Sequence, residues 1–412
     1  MSGALQPALD PARERAVLLT LAGLQFTHIL DFMIMMPLGP QFTRLFGLSA
    51  QQFGLLVSAY TFAAAAAAVL AALLVDRFER RATVLLLATL FLLATLACAA
   101  APGYGTLLAA RALAGAFGGV LGAMIYTLVG DLVPEARRGR AMGLVMSSFS
   151  VSTVAGVPLG LLIAAWAGWR WTFVFVALLT ALFVLAALRT LPRIDAHLAR
   201  AHSHPLRELW LTLADANHLR AFGFMLLMMF AGFSVIPFIS LYMVANVGLR
   251  EAELSWLYLA GGVATLYTAR RIGRLADRHG KLVTYRVLAL LSIAPLLAVT
   301  HAPALPLAAA IAVATLFFVL VSGRMIPGMA LVTGSAAAGR RGAFMSLNSA
   351  VQQLGSGLAA TVAGMIIVKL PAGDGGHILH YERVGWLAVV CTLLAIAWAG
   401  RIVVRDAGPR GP

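Results

Sequence analysis

"GRLADRHGK" occupies residues 273–281, and a related string, "ALLVDRFERR", occupies residues 72–81. Each sets one carboxylate, Asp277 or Asp76, ahead of basic side chains, and each lies between two long apolar segments. A short connection between helices needs a residue free to turn and charges that meet the neighbouring helix ends. One such string alone is weak evidence. Two of them, at matching places in the two halves of a chain, mark an internal repeat, and a repeat constrains the fold more than a single motif does.

The segments flanking these strings are too apolar for water. Of the 412 residues, 61% are hydrophobic and 11% charged, with a mean hydropathy of +0.90. A soluble domain carries about 25% charged residues. Apolar runs long enough to cross ~30 Å of hydrocarbon as helix recur throughout. They are expected at 16–38, 52–75, 82–101, 105–129, 141–165, 171–190, 221–246, 254–272, 282–301, 306–331, 342–368 and 382–404. The short alternating segments of a transmembrane barrel are absent. The expected fold is an all-α integral membrane protein with twelve transmembrane helices in two pseudo-symmetric six-helix bundles. Residues 1–190 form the first bundle, 191–220 a cytoplasmic linker and 221–412 the second. His197, His202 and His204 in the linker suit a solvated segment with a surface helix at 205–216 better than a metal site.

Charge sets the orientation. Of 31 Lys and Arg residues, only Arg44, Arg170, Arg250, Lys369 and Arg383 fall on one side of these spans; Arg111 and Arg324 fall inside spans, and the rest lie on the other side. Positive residues stay in the cytoplasm, so both termini are expected there, with the chain in a bacterial inner membrane. The net charge of +15 is thereby topology, spread over short loops and not gathered into a nucleic-acid footprint. The opening "MSGALQPALDPARERA" reads as a retained cytoplasmic tail, because the span after it is too long for a signal-peptide core. Cys98 and Cys391 fall inside spans and read as small apolar packing residues.

The two strings resemble the loop signature of the major facilitator superfamily, Gly-x-Leu-x-Asp-Arg-x-Gly-Arg-Lys. The second copy keeps Gly273, Leu275, Asp277, Arg278, Gly280 and Lys281. The first keeps Leu74, Asp76, Arg77, Arg80 and Arg81, with Ala72 and Glu79 in place of the two glycines. Span 4 carries "RALAGAFGG", similar through Arg111 and Gly115 to a pattern of the twelve-helix drug:proton antiporter branch, with Ala114 in place of its Gln. Span 5 carries "AGVPLG", where Gly156, Pro158 and Gly160 resemble that branch's antiporter signature in the form seen in drug and sugar exporters. "GWRWTF" at 168–173 and "DLVPEARRGRAMG" at 131–143 are similar to the same branch. The resemblance implies two helical halves around a central site, with the loop residues Asp76, Arg77, Arg81, Gly273, Asp277, Arg278, Gly280 and Lys281 as a conformational latch.

Physical readings stand beside the resemblance. Gly115, Gly118, Gly119 and Gly122 make a small-residue stripe that permits close helix approach. Pro158 between Gly156 and Gly160 loosens span 5 as a hinge needs, although packing alone also explains most of these glycines. Asp31, in "LQFTHILDFMIMMPLG" at 24–39, is the one acidic residue well inside a span. An ionisable group there is costly and marks function by default, so Asp31 is the expected proton-coupling group. Thr27, His28 and Met35 share its helical face. His28 either tunes that proton or is a hydrogen-bonded bystander. Arg111 and Arg324 are the cations inside spans, and both are expected at the substrate cavity. An arginine cannot shed its charge, so Arg324 needs a carboxylate, carbonyls, water or an anionic substrate. Asn348 and Gln352, with Gln353 beside them, form a polar face on span 11 that reads as cavity lining or as inter-helix glue.

No catalytic carboxylate pair, nucleophile elbow, phosphate-binding loop or metal-ligand cluster is seen. The expected function is secondary active transport, proton-coupled efflux of a small molecule such as a drug or sugar, with no enzyme activity and no cofactor. The partners are the substrate, protons and the lipid bilayer, and the chain is expected to act as a monomer. Proton-coupled uptake and a non-transporting membrane sensor or scaffold are the alternatives.

Overall fold

The computed structural model describes residues 10–74, 77–195, 205–336, 340–370 and 376–405. Asp76 and the linker histidines 197, 202 and 204 lie outside them. The first half comprises α1 (Pro11–Ile34), a short α2 (Gly39–Leu45), α3 (Ala50–Leu74), α4 (Arg80–Ala100), α5 (Tyr104–Leu132), α6 (Glu135–Val151), α7 (Val157–Ala167) and α8 (Trp169–Thr190). After the amphipathic α9 (Pro205–Leu213) come α10 (Ala216–Phe233), α11 (Ile239–Ala245), α12 (Leu254–His279), α13 (Lys281–Thr300), α14 (Leu307–Ser335), α15 (Arg341–Ile366) and α16 (Tyr381–Ala399). The pairs α6–α7 and α10–α11 each make one interrupted span, so two sets of six spans result. Among the described residues ten of the spans are apolar enough to cross a membrane on composition alone. The other two, α12 and α15, are of similar length but carry polar faces. Among the described residues the one set of strands is a two-residue antiparallel ribbon, Val368–Lys369 with Ile378–Leu379.

Span ends depart from the sequence reading where polar helix formers continue an apolar run. The string at 273–281 was expected to be a turn. Instead α12 runs through Gly273, Asp277 and Arg278 to His279, and the turn is Gly280 alone, at φ +89° and ψ 143°. Arg, Leu and Ala favour helix, so the chain stays helical until the left-handed glycine stops it. The matching position of the first copy, Glu79, has φ −61° and needs no glycine. Its carboxylate accepts from the N–H groups of Arg81, Ala82 and Ile194, each at 2.8 Å, capping α4 and tying it to the segment after α8. Partial burial alone would raise that carboxyl, but the three donors, led by Ile194, hold it below its ordinary value.

The two ends of the molecule differ. The end bearing most of the arginines is the basic end, and the other is the far end. At the far end one apolar core spans both halves, with Leu30, Phe53 and Phe173 joined to Phe238, Leu257 and Tyr381. At the basic end each half keeps a separate core, around Leu21, Leu121 and Val145 in the first and Phe224, Tyr285 and Phe344 in the second. Charged staples close each half there. Arg80 meets Asp131 at 2.6 Å and Arg137 meets Glu14 at 3.0 Å. In the second half Arg405 holds Asp215, the cap of α10, in a two-point contact at 2.7 and 3.0 Å. The Arg405 guanidinium brings that carboxyl down to about 2, so the staple is complete above the ordinary carboxylate range and is lost as pH falls through about 2.

Candidate coupling site and the seam between halves

Asp31 lies in the last turn of α1, near the far end, and is 0% exposed. Its partner is Arg111 of α5, also 0% exposed, whose Nη1 donates to Asp31 Oδ2 at 2.6 Å and to the Asp31 carbonyl at 3.3 Å. Thr95 of α4 donates to Asp31 Oδ1 at 3.4 Å. The guanidinium lies 4.6 Å over the ring of Tyr60 from α3, a cation–π contact in a dry setting. The Tyr60 hydroxyl meets His28 Nδ1 at 3.1 Å. Four spans of the first half thus converge on one polar cluster: Asp31 and His28 of α1, Tyr60 of α3, Thr95 of α4 and Arg111 of α5. His28, one helical turn nearer the basic end, is partly exposed. Arg111 Nε and Nη2 have no hydrogen-bond partner among the described residues, so the pair rests on one nitrogen and is not a bidentate lock.

The glycine stripe of α5 makes this cluster possible. A Cβ on Gly115 would lie 2.1 Å from the Tyr60 carbonyl oxygen, one on Gly118 2.5 Å from the Tyr60 hydroxyl, and one on Gly122 2.8 Å from His28 Nε2. Only hydrogen at these positions lets α3 and α1 reach α5. Phe32, next to Asp31, covers the cluster on the seam side: its ring is 5.2 Å from Tyr60 and 6.0 Å from Phe233 of the second half.

Span 5 packs along α1 beside the carboxylate. Ser148 and Ser152 donate to the carbonyls of Ala22 and Phe26 at 2.7 and 3.2 Å. Residues 152–156 form a π turn immediately before Pro158, a geometry that accommodates the N–H the proline lacks. Gly156 faces Leu30 and Gly160 faces Ile34, so both glycines serve close packing on either side of Asp31. The π turn is also where Gly262 of α12 crosses from the second half, at 3.0 Å from its Cβ position to the Thr153 carbonyl.

The remaining expected site residues do not gather with Asp31. Arg324 of α14 was expected at the cavity, but Nη1 donates to Ser292 of α13 at 3.1 Å and to Thr392 of α16 at 2.9 Å, within the second half. Asn348 is fully buried, its amide nitrogen in a long contact with Met329 Sδ, while Gln352 and Gln353 are partly exposed. Of the latch residues, Arg77, Asp277 and Arg278 are exposed, and Arg81 donates to the Leu188 carbonyl at 2.7 Å. Lys281 approaches the end of α14 beside Gly334.

Tyr60 and Thr95 escaped the sequence reading because one tyrosine or threonine in an apolar helix is unremarkable. The available signal was the polar trio Ser58, Tyr60 and Thr61, just ahead of the alanine run of α3. Ser58 Oγ meets Thr361 Oγ1 of α15 at 2.8 Å across the seam, and Arg44 pairs with Glu251 across its far end.

The profile of the Major Facilitator Superfamily matches residues 21–360. The chain is 28% identical over 366 residues to a chloramphenicol resistance protein of Streptomyces lividans, covering 88% of this chain and 90% of that one. Its fold matches a bacterial homolog of the human lysosomal transporter Spinster in an inward-facing, unoccupied conformation, with a TM-score of 0.75 at 17% identity, covering 98% of this chain and 100% of that one. A D-xylose–proton symporter matches with the same TM-score, 0.75, at 17% identity over 97% of this chain and 100% of that one.

Proposed function

Because the chain belongs to the major facilitator superfamily, and is therefore a multi-pass membrane transporter and not an enzyme, we propose that it exports a small drug-like molecule in exchange for protons. The observation that carries this reading is the Asp31–Arg111 pair, a buried carboxylate held through a single nitrogen. A carboxylate in that position has two competing ways to lose its desolvation cost: pairing with Arg111, or taking a proton. The choice between them is the coupling step. When Asp31 is ionised, Arg111 binds it and α1 and α5 are drawn together. When Asp31 is protonated, the fixed charge of Arg111 keeps the Tyr60 ring and the long bond to the Asp31 main-chain carbonyl but loses the carboxylate, and the contact between the two helices weakens. His28, linked through the Tyr60 hydroxyl, gives the proton a partner on the basic side.

Alternating access supplies the rest. The basic end is taken as cytoplasmic by the excess of arginine there. On that assignment the shared core, the Arg44–Glu251 pair and the Ser58–Thr361 contact close the external side, and the molecule is parted toward the cytoplasm. The bundles at 1–190 and 221–412 rock about the seam, joined by 191–220. The π turn with Gly156, Pro158 and Gly160 yields where α12 crosses it, and the charged strings at the basic end latch the opposite state. Gln352 and Gln353 offer hydrogen bonds to a substrate in the seam. Efflux is favoured over uptake by the Streptomyces lividans relative, a chloramphenicol resistance protein.

The test is flux in proteoliposomes under an imposed pH gradient, with chloramphenicol as the first probe. Asp31→Asn keeps an acceptor for Arg111 but cannot carry the proton, so gradient-driven flux should fall to background. Substrate counterflow, which needs no net proton movement, should persist. Wild-type driven flux in Asp31→Asn would remove Asp31 from the mechanism.

A further inference from the structure

Arg324 is a buried cation with no counter-charge among the described residues. It is 1% exposed, and its hydrogen bonds go to two neutral hydroxyls, Ser292 and Thr392, both through Nη1. Nε and Nη2 have no partner among the described residues. These two nitrogens form the side-on fork of a guanidinium, the edge that takes an anion through two parallel hydrogen bonds. Tyr285 of α13 is also fully buried, and its hydroxyl has no hydrogen-bond partner among the described residues.

The contrast with the other half sharpens the point. There the cation of span 4, Arg111, has Asp31 of span 1. Span 10 is the counterpart of span 4, and span 7, the counterpart of span 1, contains no acidic residue between 216 and 245. The described carboxylates of the second half sit at span ends, away from Arg324: Asp215 holds Arg405, Glu251 holds Arg44, Glu253 holds Arg250, Glu382 lies beside His380, and Asp277 is exposed at the basic end of α12. Asp374 and Asp406 lie outside the described residues and, by sequence, beyond the ends of spans 11 and 12. Water could satisfy the free N–H groups but would leave the charge uncompensated in a dry bundle, a costly state that arginine cannot escape by losing a proton.

We propose that Arg324 is an anion site: a small singly charged anion binds its Nε–Nη2 edge between spans 9, 10 and 12. The anion is either free in solution, of chloride size, or the anionic group of a transported molecule. In both cases it completes the second half as Asp31 completes the first. The site stands independently of proton coupling at Asp31, so failure of either idea leaves the other intact.

The test uses the full chain, purified in detergent and exchanged into a bulky sulfonate salt at constant ionic strength. Thermal unfolding is followed while chloride, and separately formate, replaces the sulfonate. Wild type should show a saturable rise in its unfolding midpoint. Arg324→Met, neutral and of similar length, should show none and should be no less stable than wild type without the small anion. Response to chloride as well as formate supports a free inorganic anion; response to formate alone supports a carboxylate supplied by substrate. Absence of a response to both in wild type overturns the proposal, as does an equal saturable response in Arg324→Met. If Arg324→Met fails to fold, Arg324→Lys decides: it keeps the charge without the fork and should raise the half-effect concentration about tenfold. An unchanged half-effect concentration overturns the site.

Discussion

At the scale of single residues, the sequence exposes Asp31 but hides its partner. A carboxylate inside an apolar run is conspicuous because insertion costs about 2.5–3.5 kcal/mol or more at a helix centre. Nothing local ties it to Arg111, which lies 80 positions away. The depth of each residue in its span sets Asp31 and Arg111 toward the same end and Arg324 toward the other, but depth alone does not make two helices neighbours. Pairing makes a prediction about stability. Arg111→Met strands a buried carboxylate and should cost about 3–5 kcal/mol. The double variant Asp31→Leu with Arg111→Met removes both charges and should recover most of it. Unfolding midpoints of the single and double variants check this; equal losses in both would show that the pair is not coupled.

At the scale of elements, helix identity and approximate span positions were legible from hydropathy, and the glycine stripe of α5 from composition. What the stripe admits was not legible. Gly115 is a point where the Tyr60 backbone passes, whereas Gly139 of α6 has open space around it. Gly115→Ala should therefore destabilise by about 1–3 kcal/mol through overpacking. Gly139→Ala should be neutral or gain up to about 1 kcal/mol from helix propensity. Thermal unfolding of the two variants separates a packed glycine from a merely tolerated one. The string at 273–281 carries a related lesson. Its glycines look alike in sequence, yet Gly273 is an ordinary helical residue and Gly280 alone takes the left-handed turn.

At the scale of the whole molecule, the seam decides which end is open. Ser58 and Thr361 touch across it near the far end. With the native cysteines replaced, Ser58→Cys and Thr361→Cys should form a disulfide on mild oxidation, stop transport and release it on reduction. Transport at full rate with the cross-link in place would mean that this contact need not part. Single cysteines report the orientation of the same assembly. Ala304→Cys, at the far end, should react with an impermeant thiol reagent in intact cells, and Arg207→Cys in α9 should be shielded. The reverse pattern would invert the external and cytoplasmic assignments.

The sequence alone determined that lipid is this protein's solvent, that the chain is a helical repeat of two halves, and that Asp31 and Arg324 are charges in need of an explanation. These follow from local hydropathy and spacing, which are properties of short segments. Only the tertiary structure decided that Asp31 faces Arg111 over Tyr60, that Arg324 turns into its own half toward neutral hydroxyls, and that the two halves share a core at one end only. Each of these depends on which helices become neighbours. In a chain this uniformly apolar, hydrophobicity scarcely distinguishes one pairing from another, and the choice falls to glycines, hydroxyls and a few charges meeting across long stretches of sequence.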